Sequence, residues 1–193
     1  MKAAVAMMLA LSPALAAGGR LVEGNSKSPV RVVIYEDLQC PDCAAFRRIM
    51  DEHLLPRFAG KVAFEHHDFP LPKHAWARQA AIAARHFDRV SPELGVKFRR
   101  HILASIRETT AENLPGRLRD FARANGADAE SAVEALSDGA LVRLVQQDLE
   151  EGVARGVGKT PTVLVDGAPF VERFPVEEIA RAIEKAVAGA KWP

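Results

Sequence analysis

Cysteine is almost missing from this chain: its 193 residues hold two, Cys40 and Cys43. So low a count excludes the multi-bridge framework on which small secreted scaffolds depend. Charge of one sign is missing as well, with 26 Lys+Arg against 25 Asp+Glu and a formal net charge of +1. That balance lacks the electrostatic footprint of a nucleic-acid partner or of general adhesion to an anionic membrane. No internal repeat, Gly/Ser/Pro tract or like-charge run marks a solenoid or a disordered linker. No apolar run reaches the roughly 20 residues that a membrane-spanning helix needs. What remains is 48% hydrophobic residues in a chain of ordinary length. This is enough for one globular domain with a sizeable core, with room for an inserted subdomain.

The first residues carry a compartment signal. Lys2 is followed by the apolar run Ala3–Leu11, the break Ser12-Pro13, and small residues at Ala14-Leu15-Ala16. Charge order, run length and cleavage site agree on a secretory signal peptide over residues 1–17, cut after Ala16 or Ala17. The mature protein is then expected to be exported and soluble. No cysteine lies near the cleavage site, which excludes a lipid-anchored one.

Export bears on how Cys40-Pro41-Asp42-Cys43 is read. A pair at this spacing can be a metal ligand set, a staple or a redox couple. In an oxidising compartment two cysteines can join. A staple gains with the length of chain it closes, and this one would close almost nothing. The pair is therefore a poor staple and a plausible catalytic bond. It follows the nearly continuous apolar run Val30–Tyr35, expected as a central strand covered on both faces. It also opens a helical pattern at Pro41, where a missing N–H costs nothing. That helix runs to about Leu55 and is expected to stop near Pro56. Residues 18–28 read as a lead-in, with a short edge strand at Leu21-Val22.

A second strand spans Lys61–Phe69, ended by Pro70 and Pro72. From His74 to about Gly156 the pattern is helical, in five segments: around Ala75–Phe87, from Ser91-Pro92, Leu114–Ala124, from Asp128, and Leu141–Arg155. Strand signals return at Thr162–Val165. Asp166-Gly167 then marks a tight hairpin, Phe170-Val171 the returning strand, and Pro175 the start of a last amphipathic helix. The fold class expected is α/β, a mixed sheet with flanking helices. The segments are 18–73, an all-helical insertion over 74–156, and 157–193.

This order resembles the DsbA-like branch of the thioredoxin superfamily. The residues that carry the likeness are Asp37–Cys43, Phe69-Pro70-Leu71 with His74, Ala77 and Ala80-Ala81, and Gly156–Thr162. The resemblance implies a thioredoxin fold and thiol:disulfide oxidoreductase activity without a cofactor or metal. It implies Cys40 as the exposed nucleophile and Cys43 as its buried partner. It further implies Pro161 as a cis proline beside the pair and Thr160 as the residue offering its backbone to an extended substrate peptide. Implied partners are exported protein thiols and a membrane redox protein that reoxidises or reduces the pair. Two positions depart from the family pattern. Where members often carry a buried glutamate, six residues before the first cysteine, this chain has Ile34, with Glu36 and Asp37 as candidate replacements. Between the cysteines stand Pro41 and Asp42, where strongly oxidising members carry histidine.

The residues also speak to mechanism. A thiol at a helix N-terminus meets unpaired N–H groups and the positive end of the helix dipole, which favour its thiolate. The Asp42 carboxylate is expected to work against this, keeping the Cys40 pKa below a free thiol but above that of a histidine-containing relative. His66, His67 and His74 have an irregular spacing for a zinc or copper site with the cysteines. They are expected to be solvated or hydrogen-bonded. Trp76 and Phe87 read as core rather than groove. Arg85, Arg89, Arg99, Arg100 and Arg107 read as a solvated helical face. Gly158-Lys159-Thr160 lacks the upstream glycine of a phosphate loop.

The leading function is disulfide formation in a bacterial periplasm by a monomer. Disulfide reduction or isomerisation is the alternative, and thiol-based metal binding is a more distant one.

Overall fold

The computed structural model describes residues 19–172 and 174–192, so the expected signal peptide lies outside the described residues. The first short strand, β1 (Val22–Gly24), is followed by β2 (Arg31–Glu36) and the helix α1 (Pro41–Ile49). A π-helical stretch over Met50–Leu54 joins α1 to α2 (Leu55–Phe58), and β3 spans Ala63–Asp68. The helical section is α3 (Ala77–Val90), α4 (Pro92–Ala104), α5 (Leu114–Ala124), α6 (Ala129–Glu134) with a 3-10 turn at Ala135–Ser137, and α7 (Gly139–Ala154). The chain ends with β4 (Thr162–Val165), β5 (Ala168–Val171) and α8 (Val176–Gly189).

The five strands form one mixed sheet in the order β1-β3-β2-β4-β5. β2 and β3 are parallel, which requires the crossover through α1 and α2. β2 and β4 are antiparallel, with Tyr35 opposite Thr162. The end of β2 therefore lies beside the start of β4, and the loops at 37–40 and 157–161 emerge at the same sheet edge. The hairpin from β4 to β5 turns at Asp166 and Gly167, both at positive φ, as a tight two-residue turn demands.

Two large cores sit on this frame. One packs the sheet against α1 and α8, through Val32, Ile34, Phe46, Phe64, Val163, Ile179 and Ile183. The other fills the helical section around Phe87, Phe98 and Phe121, whose ring centroids lie 4.7–5.2 Å apart. Cys40, Cys43, Leu38 and Trp76 belong to this second core, so the cysteines stand where the sheet end meets the helical section.

Two expectations need correction. The helix does not stop at Pro56. In the π-helical stretch Leu55 N–H bonds back to Met50 C=O, and Pro56 falls in the first turn of α2, where no N–H is missed. Nor are all five arginines solvated. Arg89, Arg100 and Arg107 are exposed, but Arg85 and Arg99 are 2% and 0% exposed. Arg99 donates to Glu36 at 3.1 Å, Asp88 at 2.7 Å and Asp68 at 3.3 Å, and Arg85 to Asp68 and Asp148. These carboxylates come from β2, β3, α3 and α7. A helix pattern shows the arginines but not the acids that meet them.

Candidate redox site

Cys40 is the residue before α1, in extended conformation, and its N–H bonds to Asp37 C=O at 3.0 Å. Pro41 takes the first helical position, and Cys43 lies one turn in. Neither cysteine is in a disulfide. The Cys40 thiol donates to Thr160 C=O at 3.3 Å, and the Thr160–Pro161 bond is cis. The two loops at the sheet end thus meet at the sulfur of Cys40. Gly156, at φ +79°, makes the turn from α7 into the second loop.

The two thiols differ electrostatically. A hydrogen bond from Cys43 lowers the Cys40 pKa most. Burial opposes it, while the Thr160 side chain and the N–H groups of Cys43 and Asp42 add to it, for a value of about 6. Among the described residues the Thr160 hydroxyl has no partner in the dithiol form, in which the carbonyl accepts the thiol proton. Once that proton leaves, only the hydroxyl of the two can donate to sulfur. Burial pushes the Cys43 thiol well above its ordinary range. The hydrogen bond to Cys40 and the charges of Cys40 and Glu36 push the same way, against the N–H of Asp37.

Two details differ from expectation. Cys40 is 5% exposed rather than open, because Leu38, Trp76 and the Thr160–Pro161 loop enclose it. Asp42 has an exposed side chain, and what it brings to Cys40 is its main-chain N–H, which favours the thiolate.

Ile34 is fully buried in the sheet core. The nearest acid along β2 is Glu36, and it is held as an anion. Burial raises its pKa, but His66 and Arg99 outweigh burial and lower it. His66 lies between two carboxylates, Nδ1 at 2.9 Å from Glu36 and Nε2 at 2.9 Å from Glu23. Burial lowers the His66 pKa, but those two acids prevail and lift it to about 9. Glu23 passes the network on to Arg47, which bonds Asp51 near the surface at 2.5 Å.

His66 and His67 are buried, not solvated, and each of the three histidines bonds a carboxylate: His67 to Glu65 at 2.8 Å and His74 to Asp37 at 2.7 Å. The strand turns His66 inward to a pocket of acids that no spacing rule reveals. His67, Asp148 and Glu151 each bring one ligand atom within 4.8 Å of the others, but Arg20 bonds both acids and Arg85 bonds Asp148, so guanidinium groups already serve them. Sequence reasoning missed Glu23, Asp68, Asp88 and Asp148. Their one visible signal was acidic residues inside otherwise apolar strand and helix patterns.

A strand that hands two thiols to a helix N-terminus, facing a cis-proline loop across a mixed sheet with a helical insertion, is the DsbA-like form of the thioredoxin fold. The chain belongs to the thioredoxin family, whose model matches residues 16–185. Among solved structures it is similar to oxidised BdbD from Bacillus subtilis, at 24% identity, a TM-score of 0.76, and coverage of 89% of this chain and 94% of that one. It is also similar to Chlamydia trachomatis DsbA, at 15% identity, a TM-score of 0.74, and coverage of 92% and 96%. A curated relative in sequence is Na(+)/H(+) antiporter NhaA 3 of Salinispora tropica, 28% identical over 171 residues, or 88% of this chain. The chain spans 25% of the length of that relative.

Proposed function

We propose that this protein is an exported thiol:disulfide oxidoreductase that forms disulfides in other exported proteins. The observation that carries the reading is the split between the two thiols: Cys40 lowered to about 6 at a helix N-terminus, Cys43 raised by burial. In the oxidised protein a substrate thiolate attacks Cys40, and Cys43 leaves. A second substrate thiol resolves the mixed disulfide and leaves both cysteines reduced. Because Cys40 is a stable thiolate, it is a good leaving group, and the disulfide is an oxidising one. Thr160 and Pro161 receive the extended substrate chain, and Pro41 and Asp42 set the poise of the pair. The chemistry uses no cofactor or metal.

A membrane redox protein reoxidises the pair in the periplasm, reached through the signal peptide at 1–17. The protein works as a monomer whose helical section, 74–156, is inserted between the halves 18–73 and 157–193.

The test is oxidative refolding of a reduced, unfolded disulfide protein, together with the Cys40–Cys43 potential against glutathione. Catalysed regain of activity and a potential well above that of thioredoxin are expected. A potential near thioredoxin, with disulfide reduction and no oxidation, would establish the reductase or isomerase reading, which Thr160 before Pro161 and Asp42 leave open. Cys43→Ala should accumulate substrate adducts through Cys40 when the enzyme runs as a reductase. Absence of any adduct with disulfide substrates would remove the scheme.

A further inference from the structure

We propose that the main-chain N–H of Asp37 carries the charge that appears on Cys43 during exchange, and that His74 is the positioning residue that holds it there. The proposal rests on the thiol–disulfide reading and extends it to the buried sulfur. Cys43 is 2% exposed, and the Asp37 N–H donates to its sulfur at 3.3 Å.

Charge must appear at that sulfur. When a substrate thiolate attacks Cys40, a bond forms between the two sulfurs. The Cys40–Cys43 bond breaks, and its electron pair leaves on Cys43 as a thiolate. In reverse, the Cys43 thiolate attacks Cys40 of the mixed disulfide, and the substrate sulfur takes the pair. Burial opposes the Cys43 anion. So does Glu36 at the end of β2, while Cys40, bonded to the substrate sulfur at this step, carries no charge. A donor already aimed at the sulfur offsets these without reorganising as the charge develops.

That N–H belongs to the Glu36–Asp37 peptide, whose carbonyl accepts the Phe69 N–H at 2.7 Å, and the Asp37 side chain, fully buried and accepting three hydrogen bonds, holds the residue on its other side. Its Oδ1 takes the N–H of Gln39 at 2.7 Å, and its Oδ2 takes the N–H of Leu71 and Nδ1–H of His74, both at 2.7 Å. Two of these come from the 69–76 loop, which also grips Gln39 through the Trp76 N–H at 2.7 Å. Two of the three donors on Asp37 are main-chain groups. His74 is the side chain among them, with 15% of its surface open.

The experiment uses the whole chain, with thionitrobenzoate attached to Cys40 as a mixed disulfide. Attack by Cys43 releases the coloured thiolate, and the rate against pH reports the ionisation of Cys43. His74→Ala should move the inflection up by about one pH unit and slow release near pH 7 about tenfold, with the plateau at high pH unchanged. His74→Gln, which keeps an N–H donor, should recover to within about threefold of wild type, since only the donor is restored and not its geometry. Identical profiles for wild type and His74→Ala would overturn the proposal. A lowered plateau with an unmoved inflection would overturn it too, because that is the mark of a loosened fold alone. Should the alanine variant not fold, Asp37→Asn carries the same expectation, since its amide turns donors toward Leu71 and His74. Release involves no protein substrate. A protein that fails to oxidise protein thiols yet shows this shift would fail the functional reading and keep the proposal.

Discussion

The charged pocket around His66 makes a specific prediction about stability and pH. An unfolded histidine titrates near 6.5, and His66 in the folded protein near 9. Its folded pKa is the higher one, so folding binds a proton and the His66 contribution is complete below about pH 6.5. It is lost as pH rises through about 9. One pKa unit is worth about 1.4 kcal/mol, so the loss over this window is on the order of 3 kcal/mol.

Cys40 titrates in the opposite sense. Its folded pKa of about 6 lies below that of a free thiol, so the reduced protein gains stability over much of the same range. The two trends overlap, and the measurement therefore belongs on the oxidised protein, in which no thiol titrates. Urea unfolding at intervals from pH 6 to 9.5 should show stability falling toward high pH. His66→Gln, which keeps hydrogen bonds but carries no proton, should be less stable at pH 6 and flatter throughout. An oxidised wild type with level stability across the window would refute the reasoning. So would a His66→Gln variant with the wild-type slope.

Three further outcomes follow from named contacts. Arg99→Leu leaves Glu36, Asp68 and Asp88 short of a buried partner, and chemical denaturation should show a loss of about 3–5 kcal/mol. Gly95→Ala would stabilise an exposed helix. Here its Cβ would come within 1.9 Å of the Asp88 Oδ1 that holds Arg99, so a loss of about 1–3 kcal/mol is expected in the same assay. Asp42→His should raise the redox potential of the pair, measured against glutathione, by exchanging an exposed acidic side chain in the first turn of α1 for an imidazole. An unchanged or lower potential would show that the Asp42 side chain has no electrostatic hold on Cys40.

Much of the frame was legible because it rests on local chemistry. The apolar run before Cys40 could be covered on both faces only in a central strand. Asp166-Gly167 marked its hairpin because few residue pairs accept two positive φ angles. Ser91 and Asp128 begin their helices by accepting N–H groups of the first turn, at Leu94 and Ser131. The misreadings share a different cause. Pro56 looked like a stop because the shift to π-helical bonding one turn earlier leaves no mark in the residues. Arg85 and Arg99 looked solvated because a charged side chain is buried only with partners, and theirs lie 11 to 63 residues away.

The site divides along the same line. The sequence by itself determined that two thiols three residues apart open a helix after a buried strand, because spacing, proline position and apolar patterning are properties of neighbouring residues. Only the tertiary structure decided what surrounds those thiols. Thr160 arrives at Cys40 across 120 residues of chain, because β2 and β4 are antiparallel neighbours in the sheet. Glu36 stands as an anion because His66 and Arg99 converge on it from β3 and α4. The Asp37 N–H reaches Cys43 while its carboxylate is held by Gln39, Leu71 and His74. The thiol pKa values depend on burial and on the direction of distant dipoles, and these exist only once the chain has closed on itself.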